Sequence, residues 1–123
     1  MKPMSSGPLG ILMLDTRFPR IVGDIGNAQS FDFPVIFRRM EGTGSADAVT
    51  AHPDRPRVLA ALEANARALA DEGAIGLSTS CGFLALYQDD LAALSPVPVA
   101  TSALLLIKQF AGKRVGVITA SAR

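Results

Sequence analysis

The sequence predicts an α/β fold, a parallel sheet with flanking helices, and three observations carry that prediction. Short continuous apolar runs, which suit strands buried on both faces, alternate with stretches whose apolar residues recur at helical spacing. The helical connections are short enough to favour parallel pairing through right-handed crossovers. Small polar residues stand at four strand ends: Asp15 with Thr16, Ser80 with Cys81, Thr101 with Ser102, and Thr119 with Ser121. The carboxyl ends of strands are where open parallel sheets bind ligands.

Residues 9–14 (LGILML) form an unbroken apolar run ended by Asp15, the first strand. Residues 16–34 hold Pro19, Gly23, Gly26 and Pro34 with scattered charges and read as a long loop, a length usually functional or mobile. Arg17 and Arg20 in this loop can bind a carboxylate, though solvated loop arginines are commoner. Residues 34–40 (PVIFRRM) make a second strand near a sheet edge, and a glycine-containing loop follows. Asp54 and Pro56 signal a helix start before Val58, Leu59, Leu62, Ala66 and Leu69 line one face, and Gly73 stops the helix. His52, just before that helix, reads as a solvated loop side chain rather than a catalytic one.

Ala74, Ile75, Gly76 and Leu77 suit a third strand, and from Phe83 the period becomes helical through Tyr87, Leu91 and Leu94. Residues 97–100 read as a short strand confined to an edge by Pro98. An apolar helix is expected over 103–110, closed near Gly112, and a last strand over 115–118. That strand has no helix after it, so the sequence breaks off within a βα unit. The reading is of a first lobe over residues 1–112 and the start of a second over 113–123, the rest of which lies outside this chain. A homo-oligomer or pairing with a missing second lobe would complete the sheet.

A chain of 123 residues suits one domain with a sizeable core, and its 49% hydrophobic content and mean hydropathy of +0.31 argue against disorder. Twelve basic and eleven acidic residues leave a net charge of +1, which gives no electrostatic footprint for nucleic acid or an anionic membrane. One cysteine excludes an internal disulfide and, with one histidine, argues against a zinc cage; a reducing cytoplasm fits best. Pro3, Pro8 and Asp15 interrupt any signal-peptide pattern, and no apolar stretch reaches the roughly 18 residues of a membrane span. Neither GxxxxGK[ST] nor GxGxxG occurs, which weakens a nucleotide-binding reading.

Cys81 lies in the strand-to-helix junction STSCG, where helix N–H groups stabilise a thiolate. A lone cysteine equally suits a small buried filler. Its hydroxyl and glycine neighbours offer polar groups and close backbone approach rather than packing volume.

The segments LDTRFPR (14–20), GDIGN (23–27), FPV (33–35) and TSCGFL (79–84), together with the hydroxyl-bearing strand ends, resemble the aspartate/glutamate racemase superfamily. The resemblance spans nearly the whole chain but only the first half of a typical member. It implies a flavodoxin-like lobe, a small amino acid or related carboxylate as substrate, and no cofactor. It further implies a racemase or isomerase in which cysteines on opposite faces of the α-carbon exchange protons. By the same resemblance Cys81 is the acid/base and Asp15 its catalytic companion. Thr16, Arg17, Ser80, Gly82, Thr101, Thr119 and Ser121 are then the substrate-binding candidates. Gly82 and Phe83 depart from the Asn and Thr common after that cysteine, and a second cysteine is absent. A one-cysteine malonate decarboxylase and a non-catalytic module binding a small anion are the alternatives.

Overall fold

The structure, a computed structural model, describes residues 6–119. Two strands form where the apolar runs place them, β1 (Leu9–Leu14) and β2 (Val35–Met40). With β3 (Gly76–Thr79) they make a three-stranded parallel sheet in the order β2-β1-β3, so the α/β class and the edge position of the second strand hold. Leu9 lies opposite Val35 on one side and Gly76 on the other, and Leu12 opposite Arg38 and Thr79. β1 takes the centre because both of its faces are apolar: Ile11 and Leu12, adjacent and so pointing to opposite faces, are fully buried.

The long helix α2 (Arg55–Asp71) follows the short α1 (Ser45–Ala48) and begins and ends as its sequence directs. The Asp54 carboxylate accepts from the Arg57 N–H, and Pro56 occupies the first turn, where its missing N–H costs nothing. Val58, Leu62, Ala66 and Leu69 are fully buried and share one core with Leu12, Leu14 and Met40 of the sheet. At the far end Gly73 takes φ +103° and donates to the Ala70 carbonyl, while Ala74 N–H reaches Leu69, the paired bonds of a Schellman cap. Beneath that end a Cβ on Gly10 would lie 2.6 Å from Leu77 Cδ2 and 3.1 Å from Leu69 Cδ1. The bare backbone there lets helix and neighbouring strand close over β1.

Several expected elements differ in the structure, each for a local reason. The third strand is displaced to residues 76–79, because Ala74 completes the helix cap and Ile75, 42% exposed, precedes the ladder. The expected loop before α2 contains α1, where Asp47 Oδ2 accepts from the Gly44 N–H and Asp47 also pairs with Arg57. The helix after Cys81 opens as a 3-10 segment (Gly82–Tyr87) before α3 (Gln88–Leu94), and Leu84 rather than Phe83 takes the fully buried position. Residues 97–100 reduce to one parallel bridge, Val99 with Leu77. Residues 103–110 are 3-10 rather than α, and 115–118 join no strand: Val115 and Val117 are half exposed and Ile118 fully so. An extended segment becomes a strand only beside a ladder partner, and among the described residues this one has none. No helix among the described residues is long and apolar enough to cross a membrane.

Tyr87 closes the core beneath the 3-10 segment at 2% exposure, yet its hydroxyl has no hydrogen-bond partner among the described residues. Burial pushes its phenol above the usual value. A buried unpaired hydroxyl costs free energy that a phenyl ring of the same shape does not. Tyr87→Phe is therefore expected to raise stability by about 1 kcal/mol in urea unfolding. A loss of stability would reveal a partner for the hydroxyl.

Candidate active site

The chain moves to one side of β1 to form β2 and later to the other side to form β3, so the strand order reverses between β1 and β3. In a parallel sheet that reversal opens a crevice at the carboxyl ends of the two strands. Two bonds tie the ends together there. Ser80 N–H donates to the Leu12 carbonyl at 2.9 Å, and Ser80 Oγ accepts from the Leu14 N–H at 3.3 Å. Cys81, the next residue, is partly buried and caps the 3-10 segment with extended backbone (φ −135°, ψ 119°), its carbonyl accepting from Leu84 N–H.

Cys81 lines a groove of about 780 Å³. Ser80, Gly82, Phe83 and Ser102 border it beside the cysteine, Ile25 and Val49 enter from loops before and after β2, and residues 103–119 supply the rest of its apolar wall. None of the described side chains lining it is charged. Among the described residues no group of three or more His, Cys, Asp or Glu is placed to hold a metal.

A hydrogen-bonded cluster fixes the groove floor. Thr79 Oγ1 donates to the Thr101 carbonyl at 2.6 Å and accepts from the Cys81 N–H at 3.3 Å. Thr101 is fully buried, and both its N–H and its hydroxyl donate to Gln88 Oε1 at 2.8 Å. Gln88 Nε2 in turn donates to the Val99 carbonyl at 2.8 Å. Two serines are arranged differently. Ser80 Oγ accepts from a backbone N–H, as does Ser102 Oγ from Leu104 N–H at 3.1 Å, so each keeps its own hydroxyl proton to donate to a ligand. Gly82 leaves room beside the second, since a Cβ there would stand 3.5 Å from Ser102 Oγ.

Of the residues singled out from sequence, Cys81, Ser80, Gly82, Thr101 and Thr119 line this groove. Thr101 does so with its hydroxyl committed to Gln88. Asp15, Thr16 and Arg17 do not line it. The Asp15 carboxylate instead accepts from the Gly42 N–H at 3.0 Å and lies 3.7 Å from Arg39, which fixes the turn between β2 and α1. Thr16 accepts from Arg20, and Arg17 is exposed. Ser121 lies outside the described residues. Gln88 is not among the residues singled out from sequence, and Ser102, noted there with Thr101 at a strand end, is not among the substrate-binding candidates. A glutamine in the first turn of a helix carries no sequence signal for its role.

The loop that brings Ile25 to the groove is held by its own charges. Arg20 pairs with Asp24 at 3.1 Å and sits 4.1 Å over the Phe18 ring. The Gly26 N–H, donating at 2.6 Å, and the Arg20 guanidinium hold the Asp24 carboxyl below its ordinary value.

Similar proteins carry the name of a lyase. The chain is 29% identical over 125 aligned residues to dimethylsulfoniopropionate lyase 2 of Emiliania huxleyi, covering 92% of this chain and 35% of that protein. It is 30% identical over 98 residues to dimethylsulfoniopropionate lyase 5 of Emiliania huxleyi strain CCMP1516, covering 79% of this chain and 19% of that protein. A dimethylsulfoniopropionate lyase of Durusdinium sp. clade D is 27% identical over 100 residues, covering 80% of this chain and 33% of its own length. The chain thus spans about a third or less of these relatives. No protein-family model and no solved structure matches it.

These relatives overturn the racemase resemblance and the isomerase reading built on it. Neither the malonate decarboxylase nor the non-catalytic anion-binding module finds support among them. The confusion has a chemical basis. A thiol beside hydroxyls at a strand end suits any reaction that begins by moving a proton next to a carboxylate, and the motif does not say whether inversion or elimination follows.

Two outcomes follow from this geometry. Gln88→Leu leaves the Val99 carbonyl and the Thr101 N–H without their partner, and is expected to cost about 2–4 kcal/mol in urea unfolding. Asp24, with its pKa lowered in the fold, stabilises the loop above the ordinary carboxylate range, and that contribution is lost as pH falls through the depressed value. The protection factor of the Gly26 amide should fall over that acid window in the wild type. In Asp24→Asn that acid loss of protection should be absent.

Proposed function

We propose that this chain carries part of a lyase that splits a β-sulfonio carboxylate of the dimethylsulfoniopropionate type, with Cys81 as the base. One observation carries the reading: the cysteine lines an uncharged groove at the reversal point of the sheet, in a chain aligned over 92% of its length with a protein named for that reaction. The fold in this reading is a flavodoxin-like lobe over residues 1–112, with 113–123 leading into a second. The apolar side chains of Val115 and Val117, half exposed, and of Ile118, fully exposed, support that boundary, since they suit a buried strand and are incompletely covered by the described residues.

The chemistry is an elimination. The Cys81 thiolate removes a proton from the carbon next to the carboxylate, and the electron pair of that C–H bond becomes the second bond of an alkene. The bond from the neighbouring carbon to sulfur breaks, and the sulfur takes its electrons as neutral dimethyl sulfide. The products are dimethyl sulfide and acrylate, with the proton left on Cys81 to return to solvent. The positive sulfur is already a good leaving group, so the protein's task is to place the base and hold the carboxylate.

Ser80 and Ser102 suit that second role, each with a hydroxyl proton to donate towards the groove. Thr101 and Thr79 act one layer out by fixing the Cys81 backbone. Asp15 positions the turn leading to Val49, which borders the groove, rather than touching the reacting atoms.

The test is dimethyl sulfide release from dimethylsulfoniopropionate by the full open reading frame, followed by headspace gas chromatography. Cys81→Ser and Cys81→Ala should each lose at least about 100-fold in kcat, the usual worth of a positioned base. Unchanged release from both variants would remove Cys81 from the chemistry.

A further inference from the structure

The groove poses an electrostatic problem for the substrate class just proposed, and the inference here rests on that reading. A sulfonium is a permanent cation, and a cation moved from water to an apolar groove needs a partner. None of the described side chains lining the groove is acidic. A carboxylate beside the cysteine would also disfavour the thiolate through like-charge repulsion. The hydroxyl oxygens of Thr79, Ser80 and Ser102 already accept backbone N–H groups, which points to the aromatic side chains, since a cation held over a ring face is attracted by the ring quadrupole without any added negative charge.

We propose that Phe83 is the specificity-determining residue for the sulfonium end of the substrate, its ring replacing a carboxylate as the partner of the cation. Three observations converge on it. The sulfur is two bonds from the carbon that loses its proton, so its binding surface must lie beside the base. Phe83 is two residues from Cys81, which keeps their Cα atoms within about 7 Å. Phe83 is also partly buried, packing against the core while bordering the groove, so its ring is held in place rather than swinging free. Phe110, the other aromatic residue among the described groove lining, is half exposed on the 103–110 segment.

Methylated onium groups and neutral branched alkyl groups of the same shape bury similar apolar area, so the ring's contribution shows as a preference for charge. The test compares two competitive inhibitors of dimethyl sulfide release by the full open reading frame: 3-(trimethylammonio)propionate, a zwitterion with a cationic onium end, and 4,4-dimethylpentanoate, a carboxylate in which a neutral tert-butyl group replaces that end. The wild type should bind the onium compound about 2- to 30-fold more tightly, the span of cation–π energies. Phe83→Leu should bring the two inhibition constants together and raise KM for dimethylsulfoniopropionate by a similar factor, while Phe83→Tyr should keep the preference. The wild-type comparison stands even if Phe83→Leu fails to fold. Equal inhibition by the two compounds in the wild type, or a preference that persists in Phe83→Leu, overturns the proposal. A wild-type protein that releases no dimethyl sulfide overturns the lyase reading beneath it instead.

Discussion

The side-chain amide of Gln88 stands in for a strand. A residue in a parallel ladder donates its N–H to one carbonyl of its neighbour and accepts an N–H two residues further on. Leu77 does this to one side of the 98–100 segment, donating to Pro98 and accepting from Ala100. Gln88 does the same from the other side, with Nε2 on the Val99 carbonyl and Oε1 on the Thr101 N–H. A segment with a single backbone bridge is thereby paired on both edges. Everything at the groove floor depends on this, because the Thr101 carbonyl receives the Thr79 hydroxyl and Thr79 holds the Cys81 amide.

The cysteine's neighbourhood is polar in its backbone and uncharged in its side chains. Thr79, Thr101 and Gln88 hydrogen-bond one another beside it while Ser80 and Ser102 accept backbone N–H groups, so the described groove lining is furnished with dipoles and carries no charged side chain. In the lyase reading proposed above, the anionic end of a zwitterion meets hydroxyl donors and its cationic end a ring face. The ionic residues of the chain work elsewhere: Arg20 with Asp24, Arg39 with Asp15, and Arg57 with Asp47 each fasten a loop or a helix end.

Much of the scaffold was legible in the residues because its signals are local. The run 9–14 has no polar interruption, and α2 is bracketed by an acidic N-cap and a glycine that takes positive φ. Elements that depend on distant partners were read less well. Apolar Ala74 and Ile75 look like strand but serve the helix cap and the approach to it, and residues 115–118 have strand composition without a neighbour. In the site, Cys81 and its small neighbours stood out by type, whereas the role of Gln88 exists only through contacts 11 and 13 residues away. The racemase expectation fails at the same level, since side chains able to move a proton do not record which reaction follows.

The outer strand has a further consequence. An edge strand offers unpaired N–H and C=O groups to any passing chain and tends to fray first. β2 carries Arg38 and Arg39 in its second half, and each is anchored: Arg38 to Asn65 and Glu72 around α2, Arg39 to Asp15 after β1. The same guanidinium groups pin the carboxyl-terminal half of the outermost described strand to α2 and to the turn after β1. Salt, which screens half-exposed ion pairs, would loosen that half while leaving the apolar half at residues 35–37 untouched.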